Sequence, residues 1–303
     1  MGVSAHDHCR SHVFNIFFGN MKIKLLSICA IGLSAISLSS CENIYEGGQT
    51  ELPDVAVQLK AQIVPYDKEK PEAIEVGTAV GVYMVSSESD ELIASNLKMS
   101  VDADGMIDTG DLLHYPKDGS KVNILAYTPY DQTVSENNLI SLDVSTAAAA
   151  VKSDYLYSAN RNKYMALAPV KVQFKHILAQ VMFDIKAGEG VTDEDLKSVT
   201  MAFQNLPGQA DFDLITGQLS LQDVSGRIPV NLTDGGHHSE NFVLPGSVGN
   251  LSIACTLKGM TFTRQLGPFE FKSGNIYKFD VTVSEPGFDI VLRQIEDWIV
   301  EEY

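Results

Sequence analysis

Residues 55–63 read VAVQLKAQI, and their apolar members occupy every second position: Val55, Val57, Leu59, Ala61 and Ile63. Successive side chains of an extended strand point to opposite faces, so this spacing predicts a strand with one apolar face; a helix would repeat at three and four residues. The same period recurs in Val170-Val172-Phe174, in Val199-Met201-Phe203 and in Tyr277-Phe279-Val281-Val283. Turn signals stand between these runs, among them Asp104-Gly105, Pro207-Gly208, Thr216-Gly217, Asp234-Gly235-Gly236 and Lys258-Gly259. Short strands separated by tight turns predict an all-β chain made of β-sandwiches. Helical signals are few: Asp193–Leu196 predicts a single turn after a Thr192 cap, and residues 146–151 favour helix by composition but are too short to stand alone.

Length and charge narrow the function. The chain has 303 residues, 22 basic and 39 acidic, for a formal charge of −17. Such a surface repels nucleic-acid phosphates and anionic lipid headgroups, which removes nucleic acid as a partner. The length favours two domains, and the polar stretch at 158–170 predicts a boundary between an N-terminal sandwich, 55–165, and a C-terminal sandwich, 166–303. The four cysteines, at 9, 29, 41 and 255, contain no Cys-x-x-Cys pair, so neither a disulfide scaffold nor a Cys₄ zinc site is expected.

The N-terminus reads as an export signal. From Met21 a short basic start, Lys22 and Lys24, leads into an apolar core, Leu25–Leu38, followed by small residues and Cys41. That core is about 21 Å long as a helix, short of the roughly 30 Å of a bilayer, so it predicts a signal peptide and not a span. Leu38-Ser39-Ser40-Cys41 resembles the lipobox of bacterial lipoproteins, which implies cleavage between Ser40 and Cys41 and acylation of Cys41. Two or three acyl chains suffice for stable anchoring. Glu42 stands where an Asp would mark inner-membrane retention, which favours the outer membrane. Met21 is then the true start, residues 1–40 are lost, the mature charge becomes −19, and residues 41–54 form a flexible tether.

Catalytic and metal chemistry find little support in the sequence. His176 lies among strand residues with no serine or cysteine motif nearby and reads as a framework residue. His237 and His238 are adjacent, so on a strand they point apart, and no third ligand follows. Asp102-Ala103-Asp104-Gly105 places its glycine at position 4 and has no acidic residue at position 12, so it reads as a hairpin turn and not a calcium loop. Cys255, in the apolar run 251–257, predicts a buried, inert thiol. Nucleophile-elbow, Walker and dinucleotide motifs are absent from the sequence. No catalytic residue, metal or cofactor is expected, and the chain reads as a non-enzyme.

Several segments in order resemble the fimbrillin family, the pilin-like lipoproteins of Bacteroidia fimbriae. They are the lipobox, Leu125-Ala126-Tyr127-Thr128-Pro129-Tyr130, Ser153-Asp154-Tyr155-Leu156-Tyr157, the stretch 172–181 (VQFKHILAQV), Ile215-Thr216-Gly217-Gln218-Leu219, and Gly274–Phe279 with Ile295-Glu296-Asp297-Trp298. The resemblance implies two tandem transthyretin-like β-sandwiches in a structural or adhesive fimbrial subunit. It implies a surface-exposed lipoprotein of the outer membrane, with other fimbrial subunits, in homo- or heteropolymers, and host or bacterial surface ligands as partners. It also implies assembly by β-strand exchange, in which a protease removes the first strand and a neighbour's strand fills the groove. The exchanged face is then Val55, Val57, Leu59, Ala61 and Ile63, and the candidate donor strand carries Phe288, Ile290, Leu292 and Ile295. The chain departs from the family at the cleavage point: no arginine lies between Cys41 and Asn160, and Lys60, Lys68 and Lys70 are the basic positions around the loop after the first strand. Shaft, tip and anchor roles therefore stay open, as does the cleavage itself. The alternative is a surface lipoprotein that binds glycan or protein ligands without polymerising.

Overall fold

Almost every described residue belongs to a strand or to a turn between strands. The computed structural model describes residues 52–63, 74–146, 154–222 and 225–297, all within one compact unit, Gln49–Tyr303. In chain order the first elements are β1 (Leu59–Ile63), β2 (Ala79–Ser86), β3 (Leu92–Ser100), β4 (Met106–Ile107), β5 (Val122–Thr128), β6 (Leu139–Asp143), β7 (Leu156–Lys163), β8 (Val170–His176) and β9 (Ala179–Ala187). A single helical turn, α1 (Asp193–Leu196), precedes β10 (Thr200–Pro207), β11 (Gln209–Asp213), β12 (Gln218–Leu221), β13 (Ser225–Pro229) and β14 (Leu232–Thr233). The last strands are β15 (His238–Val243), β16 (Gly246–Leu257), β17 (Met260–Phe271), β18 (Asn275–Ser284) and β19 (Gly287–Asp297). The alternating runs at 170–174, 199–203 and 277–283 fall in β8, β10 and β18. α1 has the expected cap: Asp195 N–H donates to Thr192 Oγ1 and Thr192 N–H to the Asp195 carboxylate, a reciprocal box. Residues 147–151 of the second helical expectation lie outside the described residues.

The strands form four sheets. A seven-stranded sheet has the order β3-β2-β5-β7-β8-β1-β4, and a three-stranded one the order β12-β11-β6. The other two, β13-β10-β16-β17 and β14-β15-β9-β18-β19, pack face to face. Between them lie Met201 and Phe203 of β10, Ile253 and Cys255 of β16, Val181 and Phe183 of β9, and Phe279 and Val281 of β18, all buried in one cluster. Phe183 meets Phe203 at 5.6 Å and Phe279 at 5.5 Å between ring centroids. This is sandwich packing, with alternate residues of each strand turned inward.

The seven-stranded sheet is covered on both faces. Val80, Val82 and Met84 of β2 enter one core with Leu59, Ile124, Val172 and Phe174, while Tyr83 and Val85 of the same strand enter the other. β2 and β5 are accordingly buried almost continuously, without alternation. Gly81 permits this density, because the Tyr127 ring occupies the space a Cβ would need. A bridge between Val101 and Ile107 joins the β3 and β4 edges, so the sheet wraps around its inner core. Residues 158–170 run through β7 and the turn into β8, both strands of this sheet.

Candidate strand-exchange site

β1 is the strand on which the sequence argument turns, and local pattern explains its seat. Its apolar phase faces inward: Val57 and Leu59 are fully buried and Ile63 nearly so, while Val55 and Ala61 pack partly against the same core. Gln58, Lys60 and Gln62, the polar phase, face solvent. On one side β1 pairs in parallel with β8 over five residues, from Leu59↔Val170 to Ile63↔Phe174. On the other it meets β4 over two residues, Leu59↔Ile107 and Lys60↔Met106.

Loop groups complete that weaker flank. Val57 N–H donates to Leu113 O at 2.8 Å, Tyr115 N–H to Val55 O at 3.0 Å, and Ala61 N–H to Gly105 O at 2.8 Å. The Thr109 hydroxyl donates to Val57 O at 2.8 Å. Ahead of the strand, His114 Nδ1 lies 2.8 Å from Asp54 Oδ1, and this hydrogen bond holds the Asp54 carboxyl below the usual carboxylate range. A strand with one firm ladder and one side of loop contacts is one that could be withdrawn without tearing a second full ladder.

The C-terminal segment is placed differently. Among the described strands β19 pairs with β18 alone and forms the edge of its sheet. Phe288 is buried, Ile290 partly so, and Leu292 and Ile295 keep 37% and 50% of their surface exposed, so the apolar phase is covered at its start and open further on. Charged contacts hold the strand. Arg264 Nε donates to Phe288 O at 2.6 Å, and Arg293 reaches Asp184 at 2.7 Å and Asp280 at 2.8 Å. Burial works against ionisation of Asp184, but the hydrogen bonds from Arg293 and His238 outweigh it and hold the carboxyl below its usual range. These cross-strand pairs escaped sequence reading. Their only signal was charge on the outward phase of β9, β18 and β19, which names no partner.

The remaining candidates fall as follows. Lys60 is exposed on β1, while Ser40, Cys41, Lys68, Lys70 and Trp298 lie outside the described residues. His176 is buried, with Nδ1 2.6 Å from Asp154 Oδ1. His238 sits between Asp184 (3.1 Å) and Glu240 (3.3 Å), while His237 lies 3.9 Å from Asp193. Partial burial lowers the His238 pKa, but the two carboxylates outweigh it and raise the group above its usual value. Asp102 Oδ1 accepts from Asp104 N–H at 2.9 Å and from Met106 N–H at 2.8 Å, closing the turn before β4. Cys255 is buried, which pushes its thiol up to about 11.

Known proteins resemble this chain in sequence and in fold. Residues 68–298 match the model of a family described as fimbrillin-like. A Bacteroides uniformis protein, Fim1C, provisionally named a fimbrium subunit, is 25% identical over 288 residues, which is 89% of this chain and 94% of that one. A crystal structure from the same species, provisionally described as a cell adhesion protein, superposes with a TM-score of 0.64 at 25% identity, covering 81% of this chain and 98% of the other. The tip fimbrial protein Mfa3 of Porphyromonas gingivalis shares the fold, with a TM-score of 0.54 at 11% identity over 81% of this chain and all of that one. With the family model covering most of its length and the all-β architecture in place, the chain belongs to the fimbrillin-like family.

Proposed function

We propose that the chain is a fimbrial subunit that reaches the outer membrane as a Cys41 lipoprotein and joins its neighbours by strand exchange at the position of β1. The observation that carries this reading is the seat of β1, an apolar strand sunk in the inner core but laddered firmly only to β8. Withdrawing it would uncover on the order of several hundred Å² of apolar surface, a driving force on the order of 10 kcal/mol before ordering costs. Lys68, five residues after β1 ends at Ile63, is the cleavage point this reading uses, because Pro71 protects the bond after Lys70. The proposal keeps two tandem domains, 55–165 and 166–303, with β8 of the second completing the seven-stranded sheet of the first.

The donor is the β19 segment of a neighbouring copy, with Phe288, Ile290, Leu292 and Ile295 entering the groove. Arg264 and Arg293 oppose its release, so donation requires these clamps to open first. The same clamps favour the second reading, a surface lipoprotein that binds ligands and never polymerises. Limited trypsin treatment of the tether-free protein separates the two: ladders on a denaturing gel support strand exchange, and monomer alone supports the binding module. For export, Cys41→Ala is expected to release the protein from membranes, and a mutant still fully membrane-bound would overturn the lipoprotein reading.

A further inference from the structure

We propose that the cleft where β7 and β8 part binds an acidic monosaccharide, a pyranose ring carrying a carboxylate. Ladder pairing between these strands consists of Leu156↔His176 and Tyr157↔Lys175. Beyond that point β7 follows β5 and β8 follows β1, so the sheet opens. The opening holds a cleft of about 410 Å³, within the span of roughly 300–1,000 Å³ usual for small-ligand sites. One wall is the sheet, with Tyr157, Gln173 and Lys175; the other is the β11–β12 hairpin, with Phe212 and Gly217.

The lining matches the chemistry of a sugar acid. Tyr157 donates its hydroxyl to Leu214 O at 2.7 Å and meets Phe212 edge-on at 5.0 Å, so its ring is a fixed apolar wall for the C–H face of a pyranose. Gly217, at φ +75°, leaves that ring open, since a Cβ there would stand 3.4 Å from it. Gln173, Asn160 and Ser273 offer amide and hydroxyl groups for ring hydroxyls. Lys175 is exposed, and among the described residues it has no carboxylate partner and no Asp or Glu lines the cleft, in a chain with 39 acidic residues. His176, also in the lining, directs Nδ1 to Asp154. One free cation beside neutral donors suits a single carboxylate; a phosphate dianion would call for an arginine fork or several cations.

The test is a titration of the full mature chain with D-glucuronate, with D-glucose as the uncharged counterpart, followed by ligand-observed saturation-transfer NMR and calorimetry. D-glucuronate is expected to bind saturably and more tightly than D-glucose. Lys175→Gln is expected to weaken D-glucuronate about tenfold while leaving D-glucose unchanged. Gln173→Glu, which places a carboxylate in the cleft, is expected to abolish D-glucuronate binding. Both positions are exposed, and unchanged circular dichroism confirms that each variant folds. Absence of saturable D-glucuronate binding, equal affinity for the two sugars, or indifference to both substitutions would each overturn the proposal.

Discussion

Leu59→Ala probes the seat of β1. The side chain is fully buried, sits opposite Val170 on one side and Ile107 on the other, and belongs to the inner core with Val82, Ile124 and Phe174. Truncating a buried leucine removes its transfer free energy and leaves a cavity, which together cost about 2–5 kcal/mol. The upper part of that range applies where neighbours cannot collapse. Here the wrapped sheet, closed by the Val101–Ile107 bridge, resists collapse, so about 3–4 kcal/mol is expected. For a body of this size each kcal/mol lowers Tm by about 2–4 °C, giving a drop on the order of 10 °C. Urea unfolding followed by far-ultraviolet circular dichroism, on lipid-free protein with Cys41 replaced, measures the loss as a shift in midpoint at constant slope. Lys60→Ala, one residue along on the exposed face, is expected to stay within about 0.5 kcal/mol and serves as control. A loss below about 1 kcal/mol for Leu59→Ala, or equal losses for both variants, would refute the placement of β1 as a core strand.

Two further outcomes follow from buried and charged groups. The hydroxyl of Tyr83 is buried with no hydrogen-bond partner among the described residues. Burial, with minor repulsion from Tyr127 and Tyr130, raises the pKa of the phenol. Tyr83→Phe is therefore expected to be neutral or stabilising by about 1 kcal/mol in thermal unfolding, and a clear loss would mean the hydroxyl has a partner. His238 has a raised pKa because its carboxylate neighbours outweigh partial burial. The stability it contributes is fully present below the ordinary histidine value and fades as pH rises through the raised one. His238→Gln should flatten that part of the stability–pH curve, and an unchanged curve would contradict the pairing with Asp184 and Glu240.

Much of the fold was legible because β-sandwich strands carry their burial in a period of two. β8, β10 and β18 follow from alternation alone, and α1 follows from the reciprocal Thr192–Asp195 cap, a wholly local device. β2 and β5 were less legible, since both of their faces are covered and their residues do not alternate. Regular pairing of the first strand begins at Leu59 and not at Val55, because the preceding residues run along a loop and make a single bridge, Ala56↔His114. The parallel pairings of β1 with β8 and of β9 with β18 join residues far apart in the chain, and a period of two says which face is buried but not which strand lies alongside. The β7–β8 cleft was hidden for the same reason: Lys175 and Gln173 read as an ordinary wet face until the hairpin carrying Phe212 and Gly217 is seen to stand over them.

Locking β1 in place tests strand exchange most directly. Lys60 and Lys171 are register partners on the exposed phase of β1 and β8, and partners in a parallel pair are within the Cα separation of about 4.4–6.8 Å that a disulfide spans. In the doubly substituted protein, Lys60→Cys with Lys171→Cys, the oxidised form holds β1 in its groove and the reduced form frees it. After limited trypsin treatment, strand exchange requires ladders from the reduced protein and monomer from the oxidised one. Ladders of equal extent from both forms, or none from the reduced protein under conditions that cleave after Lys68, would contradict it.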